Sequence, residues 1–196
     1  MAVRPDFQEM AQNGLTVLDA GLPALPQEWS YSVPVPLAYW KSSVCATVLF
    51  FFYFQNEEGV IQPSEISFRY ARDDTAWQII RASHGWAAIT NDPISSPESL
   101  EYHEHFAIKW HASQLDSGSK PSHPAIVAFG RHAPDVAEIR VLQGDSSQSA
   151  PAIGHFGAWI VCSERFEPFR IEALDISGRM VAYLDEPLTG GFPFRK

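Results

Sequence analysis

The feature that most constrains this sequence is the stretch 124–185, in which short runs of alternating residues follow one another at regular intervals. The runs occupy residues 136–141, 156–160 and 169–175. Turn-forming residues separate them at 133–135, 144–147 and 176–178. Period-two runs divided by turns at roughly 8–12-residue spacing are typical of antiparallel sandwiches and barrels. The sequence therefore predicts antiparallel β-structure for this part of the chain.

A long apolar run near the N-terminus predicts a second sheet. Residues 44–54 read VCATVLFFFYF, so both sets of alternate positions are apolar. A strand of this kind is covered on both faces and lies inside its sheet. Residues 66–70 and 76–82 predict the strands that follow, after turns at 56–59 and 72–74. Hairpin-length connections favour an antiparallel meander.

The predicted cover for the N-terminal sheet is an amphipathic helix at 97–115. Ser96 suits the N-cap, Pro97 suits the first helical position, and Glu98 places negative charge in the first turn. A shorter helix of one or two turns is predicted at 5–13, with Gly14 as the residue past its end. The predicted fold class is mainly β (α+β), an antiparallel β-sandwich or barrel-like sheets with one amphipathic helix packed on the N-terminal sheet.

Composition divides the chain at a segment rich in Ser, Pro and Gly. Residues 117–123 read SGSKPSH and predict a linker. The predicted organisation comprises an N-terminal sheet with its helix, a C-terminal β-sandwich module and a tail, at 1–116, 124–186 and 187–196. Whether the two halves share one core stays open at this point.

Charge and segment lengths exclude several function classes. The chain has 14 Lys plus Arg against 23 Asp plus Glu, for a formal net charge of −9. A net negative charge disfavours binding to nucleic acid and to anionic membranes. The longest apolar run is too short to span a bilayer, and the first residues lack the apolar core of a secretion signal. We expect a cytoplasmic protein with no cofactor. Oligomeric state and a disulfide between Cys45 and Cys162 are left open.

Histidines provide the main candidate for metal chemistry. His103, His105 and His111 lie within nine residues, with Glu101 and Glu104 among them. In a helix, His103 and His111 would lie on nearly the same face, but no pair has the four-residue spacing of a helical zinc site. A metal site formed by His103, His105, His111 and Glu104 is therefore the basis of an alternative function only.

Aromatic residues provide the candidate for partner binding. Trp29, Tyr31, Tyr39 and Trp40 cluster in and beside a proline-rich stretch. Large aromatic side chains carry much of the burial in small β domains, but exposed ones form binding surfaces. We expect these four to contact a partner if they are exposed.

The C-terminal half resembles a recurrent bacterial β-sandwich module. The resemblance covers about 60 residues of the 196. Its motifs are Phe129-Gly130, Pro134-Asp135-Val136, Ile139-Arg140-Val141, Gly154-His155-Phe156, Ala158-Trp159, and the run 171–175 with Gly178 and Val181. Members of this group are mostly of unassigned function, so the resemblance implies a fold and transfers no catalytic residue.

Three functions remain to be compared. The leading hypothesis is a non-enzymatic, β-rich binding protein with a protein partner, such as an immunity or adaptor protein that covers a basic partner. It rests on two features of the sequence: strand-forming residues are plentiful, and no positioned set of acid, base and nucleophile is evident. The first alternative is a metal-dependent hydrolase that uses the histidine cluster. The second is a β-barrel that holds a small apolar ligand, with residues 44–54 lining its cavity.

Overall fold

The structure is a computed structural model that describes residues 6–25, 33–73, 75–85, 106–112, 126–151, 154–163 and 168–186. These residues form one α-helix, eleven strands and a single 3₁₀ turn at His155–Gly157. The helix is α1, Phe7–Ala20, and the strands are β1 Val35–Lys41, β2 Cys45–Gln55, β3 Ile61–Arg72, β4 Trp77–Gly85, β5 Phe106–Ala112, β6 Ile126–His132, β7 Glu138–Gln143, β8 Ser146–Pro151, β9 Ala158–Ser163, β10 Phe169–Leu174 and β11 Met180–Glu186.

Helix α1 is longer than the sequence predicted. Asp6 is its N-cap, with a side-chain oxygen that accepts hydrogen bonds from the backbone N–H groups of Gln8 and Glu9. The helix ends at Gly21, whose N–H donates to the carbonyl oxygen of Val17. The prediction that Gly14 follows the helix is wrong, because Gly14 is buried in the middle of the helix, where it packs against the sheet.

Strands β1–β4 form a four-stranded antiparallel sheet in sequence order, here called sheet I. Strand β2 is an inner strand, and its first nine residues are all buried. The prediction from residues 44–54 of an inner strand covered on both faces is therefore confirmed. One face packs on α1, and the other packs on the C-terminal strands.

The C-terminal strands form two further antiparallel sheets. Sheet II has the order β11-β10-β7-β8, and sheet III has the order β5-β6-β9. The predicted fold class, mainly antiparallel β with one helix on the N-terminal sheet, is confirmed. The described strands form open sheets and no closed barrel.

The predicted helix at 97–115 is wrong over residues 106–112, which form β5 and pair with β6 in antiparallel register. The segment FAIKWHA alternates large apolar residues with others and is rich in residues that favour strands. Pairing with β6 supplies backbone hydrogen bonds that the local helix signals at Ser96 and Pro97 could not predict. The rest of the predicted helix lies outside the described residues. The covering helix is α1.

In the described part of the chain, two apolar clusters lie between three layers, which are α1, sheet I and the C-terminal strands. One lies between α1 and sheet I and includes Met10, Val17, Phe50 and Tyr70. The other lies between sheet I and the C-terminal strands, and it contains residues from both halves of the sequence. The predicted boundaries at 116 and 124 border residues outside the described ranges, so the division into domains stays a prediction.

A close backbone contact joins the two halves. A Cβ atom added to Gly154 would overlap the backbone carbonyl groups of Leu37 and Ala158. The neighbouring His155 places Nε2 2.8 Å from the carbonyl oxygen of Pro23. These contacts hold the start of β9 against the N-terminal part of the chain.

Cys45 and Cys162 are both buried thiols, and they form no disulfide with each other. Within the described part of the chain, we find no helix with the length and apolar character that crossing a membrane requires.

Candidate functional site

A polar cleft between α1 and the β3–β4 hairpin is the strongest candidate site in the described residues. Its volume is about 450 Å³, within the range typical of ligand sites. We call it the α1 cleft, and it is lined by Gln12, Asn13, Leu15, Thr16, Asp19, Arg72, Thr75, Ala76 and Trp77.

The helical wall of the cleft comes from the outward side of α1. Met10, Val17 and Leu18 face sheet I and are buried, so the helical period turns Gln12, Thr16 and Asp19 outward, where they are exposed. These side chains offer an amide, a hydroxyl and a carboxylate at one surface. The wall can therefore both donate and accept hydrogen bonds.

The opposite wall is the end of the β3–β4 hairpin. Arg72 and Trp77 are cross-strand partners, and the Arg72 guanidinium carbon lies 5.6 Å from the centre of the Trp77 ring. This is cation–π geometry, which orients a guanidinium without neutralising it. Trp77 also packs against the cluster beneath α1. The cationic wall is thus anchored to the core.

The turn beside Arg72 is held by Asp73. Its Oδ1 accepts hydrogen bonds from the backbone N–H groups of Thr75, at 3.1 Å, and Ala76, at 2.9 Å. These bonds and those from the Thr75 hydroxyl and the Gln78 amide lower the pKa of Asp73, with the Ala76 bond the largest cause. Local hydrogen bonds therefore define the conformation of this turn.

Two opposite charges line the cleft without pairing with each other. Within the described part of the chain, neither the Asp19 carboxylate nor the Arg72 guanidinium forms a hydrogen bond or an ion pair. Asp19 also lies in the last turn of α1, where the helix dipole disfavours negative charge. Asp19 is exposed, so its carboxylate faces solvent at the surface of the cleft.

The four aromatic residues predicted for partner binding do not share one exposed surface. Trp29 and Tyr31 lie outside the described residues. Tyr39 is half-buried against the α1 side of sheet I, with the Lys41 ammonium 5.8 Å from its ring centre. Trp40 is 6% exposed and belongs to the cluster on the other face of the sheet. Tyr39 and Trp40 therefore serve packing on opposite faces of β1.

Of the residues predicted to bind metal, His103, Glu104 and His105 lie outside the described residues. His111 lies in β5, opposite Val127 of β6. The helical spacing expected to bring His103 and His111 onto one face does not hold, because residues 106–112 form a strand. In the described ranges, no three His, Cys, Asp or Glu side chains come close enough to share a metal ion.

Several polar side chains outside the α1 cleft are buried, so a ligand could not contact them. Glu65, Ser67 and Arg69 follow one another on the inner face of β3, and each is at most 5% exposed. The Cys162 thiol donates to the Thr47 hydroxyl at 3.2 Å. Burial raises the pKa of Cys162 to about 12, against a smaller lowering by Thr47. A thiol in this environment stays neutral and is a poor nucleophile.

His132, at the end of β6, is a further buried polar residue. It is 7% exposed, and its Nδ1 lies 2.7 Å from the carbonyl oxygen of Ala133, to which it donates when that nitrogen carries the proton. The ring is thus tied to the neighbouring backbone. This contact fits a structural role at the end of β6.

Sequence reasoning missed the α1 cleft entirely. Its two walls are more than 50 positions apart in the sequence, and only the packing of α1 on sheet I brings them together. One signal was available, since an Asp in the last turn of a helix is unfavourable. That signal could be recognised only if the helix had been predicted to reach Ala20.

Comparison of the chain with protein-family models, with curated proteins and with solved structures found no match. The resemblance of residues 124–185 to bacterial β-sandwich modules therefore stays a prediction.

Proposed function

We propose that this chain is a non-enzymatic binding protein that contacts a basic protein partner through the outward face of α1 and the α1 cleft. The observation that carries the proposal is the unpaired Asp19 carboxylate at the rim of a polar cleft. An immunity or adaptor protein would use such a surface to cover a basic patch on its target.

The charge of α1 supports a basic partner. Residues 6–20 contain three carboxylates, those of Asp6, Glu9 and Asp19, and no Lys or Arg. Glu9 and Asp19 are exposed, at the two ends of the helix. Together with the net charge of −9, this surface would speed encounter with a cationic partner.

The shape of the surface supports binding through protein contacts. The outer side of α1 is convex, and the cleft beside it is concave, so a partner could both cover the helix and insert a side chain. Gln12, Asn13 and Thr16 can hydrogen-bond to a polypeptide backbone without changing their charge. The surface therefore combines electrostatic steering with polar specificity.

A capture experiment with matched charge variants tests the proposal. Immobilised protein is exposed to lysate and cross-linked, and bound proteins are identified by mass spectrometry at salt concentrations from roughly 50 to 500 mM. We expect a basic protein whose capture decreases as salt rises and is reduced by Asp19→Lys. Asp145→Lys, at the β7–β8 turn on the far side of sheet I from α1, makes the same charge change and should leave capture intact.

The proposal fails if no basic protein is captured, or if Asp19→Lys and Asp145→Lys reduce capture equally. Equal reduction would mean that the net charge of the chain acts non-specifically. Indifference to salt would exclude the electrostatic part of the proposal.

A further inference from the structure

We propose that the α1 cleft binds a chemical group that carries a carboxylate and a cationic amine together, with the carboxylate at Arg72 and the amine at Asp19. The inference rests on the proposed function, because it specifies the ligand chemistry at the same surface. It commits to an amino-acid zwitterion or to a lysine at the C-terminus of a chain, which share this chemistry.

The first argument is the disposition of charge. Asp19 projects from the helical wall and Arg72 from the hairpin wall, and both line one cleft of about 450 Å³. A carboxylate and a guanidinium that approach each other within about 4 Å form an ion pair. Here they form none in the described residues. A ligand with the complementary pair of charges can bridge the cleft, whereas a ligand with one charge leaves the other wall unmatched.

The second argument is the preorganisation of Arg72. Its backbone N–H donates to the carbonyl oxygen of Val44 at 2.8 Å, and its guanidinium rests 5.6 Å from the centre of the Trp77 ring. The ring satisfies none of the guanidinium N–H donors, and these donors have no hydrogen-bond partner among the described residues. The N–H edge of a guanidinium matches the two oxygens of a carboxylate. A point cation such as Lys would lack this geometry.

The third argument is the composition of the remaining lining. The cleft also contains the amides of Gln12 and Asn13 and the hydroxyls of Thr16 and Thr75. Amides donate and accept, so they can satisfy both the N–H and the C=O of a peptide group. A purely apolar ligand would leave these groups without hydrogen bonds. The lining therefore favours a peptide-like ligand.

Titration of the full-length protein with small probes tests the inference. The probes are Nα-acetyl-lysine, which has a carboxylate and a side-chain ammonium, its C-terminal amide, which lacks the carboxylate, and free alanine, which has the zwitterion alone. Binding is measured by calorimetry and by ¹⁵N chemical-shift changes at the cleft. We expect a Kd of about 1 mM or tighter for a probe with both charges, and at least about ten-fold weaker binding of the amide.

The probes also distinguish the two sources of the ligand. Binding of alanine as tightly as Nα-acetyl-lysine indicates a free amino acid. Binding of Nα-acetyl-lysine alone indicates a C-terminal lysine, because there the cation lies at the end of the side chain. Either result supports the inference.

Variants assign the two charges to their walls. Asp19→Asn should weaken the binding of Nα-acetyl-lysine by about ten-fold. Arg72→Gln should remove the preference for the carboxylate, so that Nα-acetyl-lysine and its amide bind with equal affinity. The matched controls are Asp145→Asn and Arg179→Gln, both on the opposite side of sheet I from α1. If Arg72→Gln does not fold, the ratio of acid to amide binding in the unmodified protein still decides.

The inference is overturned if no probe binds at about 20 mM, a concentration that would reveal even a weak complex, or if binding is unaffected by Asp19→Asn. Such a failure is separate from failure of the proposed function. Capture of a basic protein that Asp19→Lys reduces would still support the proposed function, because a protein surface can contact α1 and Asp19 without placing a carboxylate at Arg72.

Discussion

The hydroxyl of Tyr70 in β3 donates a hydrogen bond of 3.0 Å to the carbonyl oxygen of Ala11 in α1. Gly14, one turn further along the helix, lies over the same hydroxyl, and a Cβ atom at this position would overlap it. The absence of a side chain at Gly14 therefore allows the close approach of α1 to sheet I. Because the α1 cleft is formed between α1 and the β3–β4 hairpin, this contact positions one wall of the site.

Gly14→Ala should destabilise the protein, although helix propensity alone predicts a gain of about 1 kcal/mol. The added methyl group must displace the Tyr70 ring or the helix, at a typical cost of about 1–3 kcal/mol. Urea unfolding measures the change. Tyr70→Phe alone should cost about 1 kcal/mol. In the double variant it should relieve most of the overlap, because only the ring carbon Cζ, 2.8 Å from the added Cβ atom, stays close. A stabilised Gly14→Ala protein would contradict this account of the contact.

Asp19→Asn should raise thermal stability while it weakens binding. The substitution removes negative charge from the last turn of α1, where it opposes the helix dipole. We expect Tm to rise by up to about 3 °C, as measured by differential scanning calorimetry. Asp145→Asn, in a turn, is the control and should leave Tm unchanged. A fall in Tm for Asp19→Asn would show that the carboxylate stabilises the fold.

Stability should fall at alkaline pH because two buried groups resist ionisation. Burial raises the pKa of Cys162 to about 12 from its ordinary value of 9.0, and burial likewise raises the pKa of Tyr70. The folded pKa lies above the unfolded one, so the stability that Cys162 contributes is complete below pH 9 and is lost between pH 9 and about 12.

Urea unfolding at pH 7 to about 10.5 tests this dependence. Cys162→Ala should be less stable at neutral pH, but the slope of its stability against pH above 9 should be shallower by about 1.4 kcal/mol per pH unit. Native protein should also react slowly with thiol reagents at pH 8. Rapid labelling of Cys162 without unfolding would contradict the burial on which the prediction depends.

The carboxyl group of Asp175, in the β10–β11 turn, should titrate at unusually low pH. The Ser177 hydroxyl and then the Arg179 backbone N–H hold the pKa of Asp175 at about 2, below its ordinary 3.8. The stabilising effect of the carboxylate is therefore present above its unfolded pKa and is lost as pH falls towards 2. Carboxyl ¹³C shifts should report this, and Ser177→Ala should move the midpoint upward. An unchanged midpoint in Ser177→Ala would show that the Ser177 hydroxyl is not the cause of the low pKa of Asp175.

Much of the β-structure could be predicted because its signals are local. Strand β10 alternates buried and half-buried residues along most of its length, and its sequence shows the same alternation. Strand β2 is apolar on both faces and is buried on both faces. In each case the pattern of side chains directly records which faces are covered.

The helices could not be predicted correctly because tertiary contacts decide them. Gly14 suggested a helix end, but packing against Tyr70 explains the residue and the helix continues. Ser96 and Pro97 suggested a helix start, but residues 106–112 pair with β6. The α1 cleft was missed for the same reason, since no local pattern shows that Asp19 and Arg72 line one surface.

Site-specific photo-crosslinking tests the central proposal most directly. A photoreactive amino acid is placed at Gln12, which lines the α1 cleft, and at Ser149, an exposed position of β8 on the other side of the molecule. Illumination in cells should produce a covalent adduct with a basic protein from position 12 and none from position 149. Equal adducts at the two positions, or none at position 12, would contradict a binding surface on α1.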